Sequence, residues 1–137
     1  MDNSEDQFNS LMAELMVRLN RSLSMGADPP PVALALDANG KSRLFVGVAD
    51  SQEQLIAIMD EFREALSKLA KHKEIVASCV AHFQKHENCV LAELENDDNY
   101  CAQISIPVLA SPTRRLGIEE MEVQDGYIKI FPLASAN

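Results

Sequence analysis

A chain of 137 residues, 47% of them hydrophobic, is long enough for one domain with one core. Its net charge of −9 disfavours partners that require a cationic surface, so we expect neither nucleic acids nor anionic membranes as partners. The sequence has no run of about eighteen apolar residues of the kind that crosses a membrane.

The composition also predicts a compartment. The first residues are acidic and lack the basic start and apolar core of a secretory signal peptide. Three cysteines are an odd number, which suits a reducing compartment better than a disulfide framework. We therefore expect one cytoplasmic domain over residues 1–137, with frayed ends at residues 1–4 and 133–137.

Residues 5–24 have the apolar spacing of an amphipathic helix, which Gly26 and the prolines after it would end. The apolar stripe is rich in leucine and methionine, and methionine adapts to varied partners as well as to irregular cores. We predict that six residues of this stripe form an interaction surface for a protein partner or a second copy of the chain: Phe8, Leu11, Met12, Leu15, Met16 and Leu19. The alternative is that these side chains are an adaptable part of the core.

Two short strands and a second helix come next. Apolar residues 32–36 and 44–48 flank an Asn-Gly turn, which is typical of a β-hairpin. The clearest helix signal follows at residues 50–70, where Ser51 would begin a capping box. Its one-sided apolar stripe, which would cover a sheet, consists of Leu55, Ile58, Met59, Phe62, Leu66 and Leu69.

The second half of the chain has the composition of strands. β-branched and aromatic residues favour a strand at residues 75–84, although residues 72–86 are also compatible with a continuation of the second helix. We prefer the strand, because the alternative gives a helix of about 35 residues, far above the usual length. Further strands are predicted at residues 88–95 and 100–109, and a C-terminal hairpin at residues 119–123 and 127–131.

This order of elements predicts an α+β fold. Antiparallel strands with two helices collected on one face give a two-layer sandwich, here extended by the C-terminal hairpin. The α-β-β-α-β-β-β order over residues 5–110 resembles the plan of roadblock and profilin-like domains. The resemblance implies the layered α+β fold and carries over no functional residue.

The densest group of potential metal ligands is Cys79, His82, His86 and Cys89. Cysteine and histidine are usual ligands of zinc. On a helix the first three would share one face, whereas on a strand Cys79 and His82 point to opposite faces. A cysteine activated by a neighbouring histidine would instead be a nucleophile. The alternative to these functional interpretations is a small buried cysteine beside histidines in a turn.

Two charged groups are also candidates for binding an ion. Arg114 and Arg115 are adjacent and could clamp an anion, although paired arginines in a connector also serve to solvate it. We interpret four further carboxylates as part of a solvated loop rather than as a cation site: Glu93, Glu95, Asp97 and Asp98.

The sequence contains no phosphate-binding, dinucleotide-binding or nucleophile-elbow motif. We therefore expect a non-enzymatic cytoplasmic interaction module, such as an adaptor, a chaperone-like protein or a regulatory protein, which forms a homodimer or binds another protein and needs no cofactor. The alternative hypothesis is a metal-dependent or thiol enzyme centred on residues 79–89, with zinc as its cofactor.

Overall fold

The computed structural model of the protein describes residues 3–110 and 112–133. Its elements are α1 (Asn3–Ser24), β1 (Val32–Leu36), β2 (Ser42–Val46), α2 (Gln52–Lys71), β3 (Ala77–Gln84), β4 (Cys89–Asn96), β5 (Cys101–Leu109), β6 (Arg115–Leu116), a 3₁₀ turn (Ile118–Glu120) and β7 (Glu122–Asp125). The α+β class and the antiparallel sheet are confirmed. The strand predicted at residues 75–84 is confirmed as β3, while β2 begins and ends two residues earlier than expected.

The sheet is antiparallel throughout, with strand order β2-β1-β3-β4-β5. Two short strands, β6 and β7, both pair with β5 on the side away from β4. The chain enters the sheet at β1, forms one edge with β2, and then continues through β3, β4 and β5 toward the other edge.

The two helices lie on opposite faces of the sheet, so the prediction of two layers is wrong and the fold has three. In β1 the side chains of Val32, Leu34 and Leu36 belong to the cluster beneath α1. Those of Ala33 and Ala35 belong to the cluster beneath α2. Because successive residues of a strand point to opposite faces, a strand that is apolar at every position needs cover on both faces.

Helix α1 covers one face through four leucines spaced at every fourth residue, all at most 2% exposed: Leu11, Leu15, Leu19 and Leu23. The helix ends at Ser24, and Gly26 follows it with a φ of 81°, in the left-handed region that glycine adopts without strain. Asn3 and Ser4, which belong to the stretch expected to fray, are helical, and Ser4 is buried. Residues 1–2 and 134–137 lie outside the described residues.

Helix α2 begins as predicted. Ser51 Oγ accepts a hydrogen bond from the backbone N–H of Gln54 at 3.1 Å, and Gln54 Oε1 accepts one from the N–H of Asp50 at 2.7 Å. Within the predicted apolar stripe, Met59 and Leu66 are fully buried. This helix covers β2, β1 and β3, and its Arg63 reaches Glu93 of β4, while another segment packs beside it on the same face.

That segment consists of the residues after β7, and its position shows that the predicted C-terminal hairpin is wrong. β7 pairs with β5, with Val123 opposite Ile104, and residues 127–131 form no strand. Ile130 and Phe131 instead enter the apolar cluster beneath α2. The backbone N–H groups of residues 129–131 all donate to one carboxylate oxygen, Glu95 Oε1, at 2.8–3.0 Å. This buried acceptor takes the place of a hairpin partner.

Candidate functional site

An apolar groove of about 280 Å³ runs between the first half of α1 and the 3₁₀ turn. Its floor is formed by Leu94 of β4 and Ile104 of β5, which lie on the α1 face of the sheet. The remaining lining residues are Phe8, Asn9, Met12, Ala13 and Met16 on the helix side, and Ile118 and Met121 on the other side. We call this the α1 groove.

The floor of the groove is closed, but its walls are open to solvent. Leu94 is 2% exposed and Ile104 is 6% exposed, whereas Ile118 is 50% and Met121 is 38% exposed. Half-buried methionine and phenylalanine side chains complete the helix wall. Exposed apolar side chains that converge on a concave surface mark a binding site more specifically than scattered ones do.

Hydrogen bonds at both ends of the groove attach α1 to the sheet. Near its start, Asn96 Nδ2 donates to Ser4 Oγ at 2.6 Å and to Gln7 Oε1 at 3.0 Å. Further along, Asn20 Oδ1 accepts from the backbone N–H of Leu116 in β6 at 2.7 Å. Because both ends are held, the groove is formed before any partner arrives, which lowers the ordering cost of binding.

The 3₁₀ turn approaches the sheet closely at a glycine. A Cβ at Gly117 would lie 2.9 Å from side-chain atoms of Leu109, so a larger residue there would push the turn away. The N–H of Gly117 donates to the carbonyl oxygen of Pro107 at 2.8 Å, which holds the turn against β5. Gly117 therefore sets the position of the groove wall that Ile118 and Met121 form.

Carboxylates adjoin the residues that line the α1 groove. Glu119 and Glu120 lie between the two apolar residues of the turn, and Glu5 lies one helical turn before Asn9, whereas Glu122, opposite Ser105, is on the α2 face of the sheet. All four side chains are exposed, and none joins an ion pair within the part of the chain that is described. Residues 116–128 include no lysine or arginine. The groove is thus apolar inside, and we call Glu5, Glu119 and Glu120, which adjoin its lining residues in the chain, its acidic rim.

The six residues predicted as an interaction surface divide into two sets of three. Leu11, Leu15 and Leu19 are core residues that pack against the sheet. The other three, Phe8, Met12 and Met16, line the α1 groove. The sequence analysis missed the opposite wall, because it took Met121 as part of a hairpin strand and assigned Ile118 to no element.

The cysteine and histidine group at residues 79–89 is not brought together. Cys79 belongs to the cluster on the α1 face, so His82, three residues later in the same strand, points to the α2 face. Cys89 is also on the α2 face, where its Sγ donates to Gln84 Oε1 at 3.5 Å. His82 and His86 both border a cleft of about 590 Å³ at the start of α2. Within the described residues, no three His, Cys, Asp or Glu side chains are grouped so as to hold a metal ion.

The environment of the thiols opposes a nucleophilic role. Burial, together with the charge of Glu93, raises the pKa of Cys79 to about 12. Burial and the charge of Glu95 likewise raise the pKa of Cys101. An enzyme nucleophile needs a lowered thiol pKa, so the environments of Cys79 and Cys101 do not favour a nucleophilic role.

The two predicted anion-binding arginines contact different parts of the chain. Arg114 Nη2 forms an ion pair with Asp28 Oδ1 at 2.9 Å, which ties the connector to the segment after α1. Arg115 Nη1 donates to the carbonyl oxygen of Thr113 at 3.3 Å. The two guanidinium groups do not converge on one point.

A charged cluster on the α2 face was not foreseen. Glu93 accepts from Arg63 Nη2 at 2.7 Å and also from Lys129 Nζ. Glu95 is 4% exposed, so the interpretation of these two carboxylates as part of a solvated loop is wrong, whereas Asp97 and Asp98 are exposed. Nearby, burial lowers the pKa of His82, with Arg63 and Lys129 acting in the same direction and Glu93 against them.

Comparison of the chain with protein-family models, with curated proteins and with solved structures found no match. Among the helices that are described, none is both long and apolar enough to cross a membrane. The function must therefore be argued from the sites themselves. Of these, the α1 groove is the one whose shape, exposure and charge point to the same kind of ligand.

Proposed function

We propose that this protein is an interaction module whose α1 groove binds apolar side chains of a partner segment that also carries lysine or arginine. The observation that carries the proposal is the groove itself, an apolar cavity of about 280 Å³ inside an uncompensated acidic rim. A volume of this size is at the lower limit of small-molecule pockets, and it suits anchor side chains of a peptide.

The apolar interior supplies the attraction. Ile118 and Met121 are partly exposed in the free protein, and a docked side chain would remove them from water. Each square ångström of apolar surface buried contributes about 25 cal/mol before the costs of association. Methionine walls, here Met12, Met16 and Met121, adapt their shape to different anchors.

The acidic rim selects the partner. Lysine or arginine beside the anchors would pair with Glu119 and Glu120, and the net charge of −9 would accelerate the encounter. The same charge opposes a homodimer in which two copies meet through this groove, because both would bring the same carboxylates together. A basic partner protein is thus favoured over the second copy that the sequence analysis also allowed.

The test uses four labelled synthetic peptides in fluorescence polarisation with the full chain. Two have a heptad pattern of leucine with either lysine or glutamate, and two have strict alternation of valine with either lysine or glutamate. We expect at least one lysine peptide to bind, and its glutamate counterpart to bind at least about tenfold more weakly. The difference should shrink as salt is added, because exposed charges are screened.

A matched pair of variants locates the binding. Ile118→Glu adds a charge to the groove wall, whereas Val17→Glu adds the same charge on α1 at a residue that is 61% exposed and does not line the groove. We expect about a tenfold loss of lysine-peptide binding for the first and less than about a twofold change for the second. Equal losses, or no binding of either lysine peptide, would contradict the proposal. A dimer in sedimentation that Ile118→Glu dissociates would make a second copy the occupant instead.

A further inference from the structure

We infer that the partner segment binds in an extended conformation and adds a strand to the open edge of β7. This inference rests on the proposed function, since it states how the basic segment lies once its anchors are in the α1 groove. It concerns the backbone of the partner, whereas the proposed function concerns its side chains. The two therefore fail in different experiments.

β7 is an edge strand with one side unpaired among the described residues. It pairs only with β5, through residues 122–125 opposite residues 102–105. All four of its residues are exposed. An unpaired strand edge presents N–H and C=O groups that an extended peptide can use to continue the ladder.

The end of β7 is held firmly against its neighbour. A Cβ at Gly126 would lie 2.9 Å from the backbone N of Ala102, so only glycine permits this approach. The N–H of Gly126 donates to the carbonyl oxygen of Cys101 at 3.4 Å. The edge is thus attached along its length, which a template for another strand requires.

The open edge continues the surface of the α1 groove. Val123 of β7 lies opposite Ile104, which is the groove floor, and the two side chains are on the same face of the sheet. Met121, which lines the groove, is two residues before Val123. A strand added to β7 would place every second side chain on this face, beside Val123, which is 59% exposed, and toward Met121.

Charge on the edge indicates what kind of strand fits. Residues 119–125 include four carboxylates, Glu119, Glu120, Glu122 and Asp125, and no cation. Charges on edge strands also protect proteins from indiscriminate pairing, and this protection works against neutral and acidic segments. A segment that alternates apolar side chains with lysine or arginine would place its apolar side chains beside Val123 and its cations on the opposite face of the added strand, where Glu122 lies.

The experiment compares the two lysine peptides and then two methylated forms of the alternating one. We expect the alternating valine-lysine peptide to bind at least about tenfold more tightly than the heptad peptide. In the methylated forms, backbone N-methyl groups are placed on every second residue, in one register or in the other. Because only every second N–H of an added strand faces its neighbour, one register should lose at least about tenfold in affinity and the other should lose little.

Each outcome decides the inference. Tighter binding of the heptad peptide, or equal losses in both methylation registers, would overturn strand addition and leave the proposed function standing. Unchanged affinity in both registers would also overturn it. Hydrogen exchange of the β7 amides provides a second readout, because strand addition must slow exchange at residues 122–125 in the complex. Absence of binding by every lysine peptide would refute both proposals.

Discussion

The two faces of the sheet are covered in different ways. On the α1 face, four leucines of a single helix pack on a sheet surface that is apolar from β1 to β5. On the α2 face, the sheet contributes the polar residues Ser78, Glu93 and Glu95, and the cover is divided between α2 and the last described residues. The α1 face is therefore stabilised mainly by apolar burial, with amide hydrogen bonds at the two ends of α1, while the α2 face also depends on charges that respond to pH.

Shortening one leucine on each helix tests how much buried apolar side chains contribute to the free energy of unfolding. Leu15 of α1 is 0% exposed, whereas Leu69 of α2 is only half-buried. Leu15→Ala should lower the free energy of unfolding by about 2–5 kcal/mol, because it removes transfer energy and leaves a cavity. Leu69→Ala should cost roughly 1 kcal/mol, because part of the site is already in water.

Urea unfolding followed by circular dichroism measures both leucine variants. Similar slopes of free energy against urea for the variants and the parent chain would confirm that the same surface unfolds in each. Equal losses from Leu15→Ala and Leu69→Ala would show that Leu69 is buried as completely as Leu15, contrary to the structure.

The next test addresses the carboxylate that holds the end of the chain. Glu95→Gln keeps the shape and one acceptor but removes the charge that three backbone N–H groups share, so we expect a loss of roughly 2 kcal/mol in unfolding free energy. Hydrogen exchange at residues 129–131 should accelerate more than exchange in α1. Glu122→Gln, at an exposed carboxylate, is the matched control and should change stability by less than about 0.5 kcal/mol.

The α2 face should also make stability depend on pH. Burial lowers the pKa of His82 below its ordinary 6.5. Below pH 6.5 the unfolded chain therefore binds this proton first, so the contribution of His82 is complete above that pH and is lost as the pH falls toward the folded value. Burial alone would raise the pKa of Glu93, but hydrogen bonds from Lys129 and Arg63 lower it below 4.5. Its contribution is lost at lower pH still, as the pH falls through the folded value.

Urea midpoints between about pH 8 and pH 5 measure the histidine contribution. His82→Gln should flatten the fall in stability below pH 6.5 relative to the parent chain. His86→Gln is the matched control, because His86 is exposed in the turn between β3 and β4. A pH profile that His82→Gln leaves unaltered would refute the contribution of His82.

The smallest effect concerns the thiols and should not alter stability. Cys79 is 1% exposed and its pKa is raised to about 12, so its alkylation should require unfolding. Cys101 is half-buried with a raised pKa, so it should react with iodoacetamide in the folded chain, but more slowly than a free thiol. Mass spectrometry of peptides gives the order, and Cys79 reacting before Cys101 would contradict it.

Local patterns predicted most elements of this protein. The spacing of leucines in α1, the Ser51 cap of α2 and the Asn-Gly turn are each properties of a few neighbouring residues, and all three are found in the structure. The last hairpin was wrong because it was inferred from local residue types and from the turn residues 124–126, which do not show what the following segment packs against. The carboxylate that takes its place, Glu95, is about 35 residues away in sequence, and local patterns contain no information on it.

The class of the fold, the two helices and half of the α1 groove could be predicted from the sequence, because periodicity identifies which side chains of an element are apolar. The three-dimensional structure was needed to show that the helices cover opposite faces and that Ile118 and Met121 lie across from Met12. It also decided that Glu95 is a buried acceptor rather than a loop carboxylate. The physical reason is common to all three. A pattern along the chain shows which face of an element is apolar, while the neighbour that covers that face is set by strand order and register.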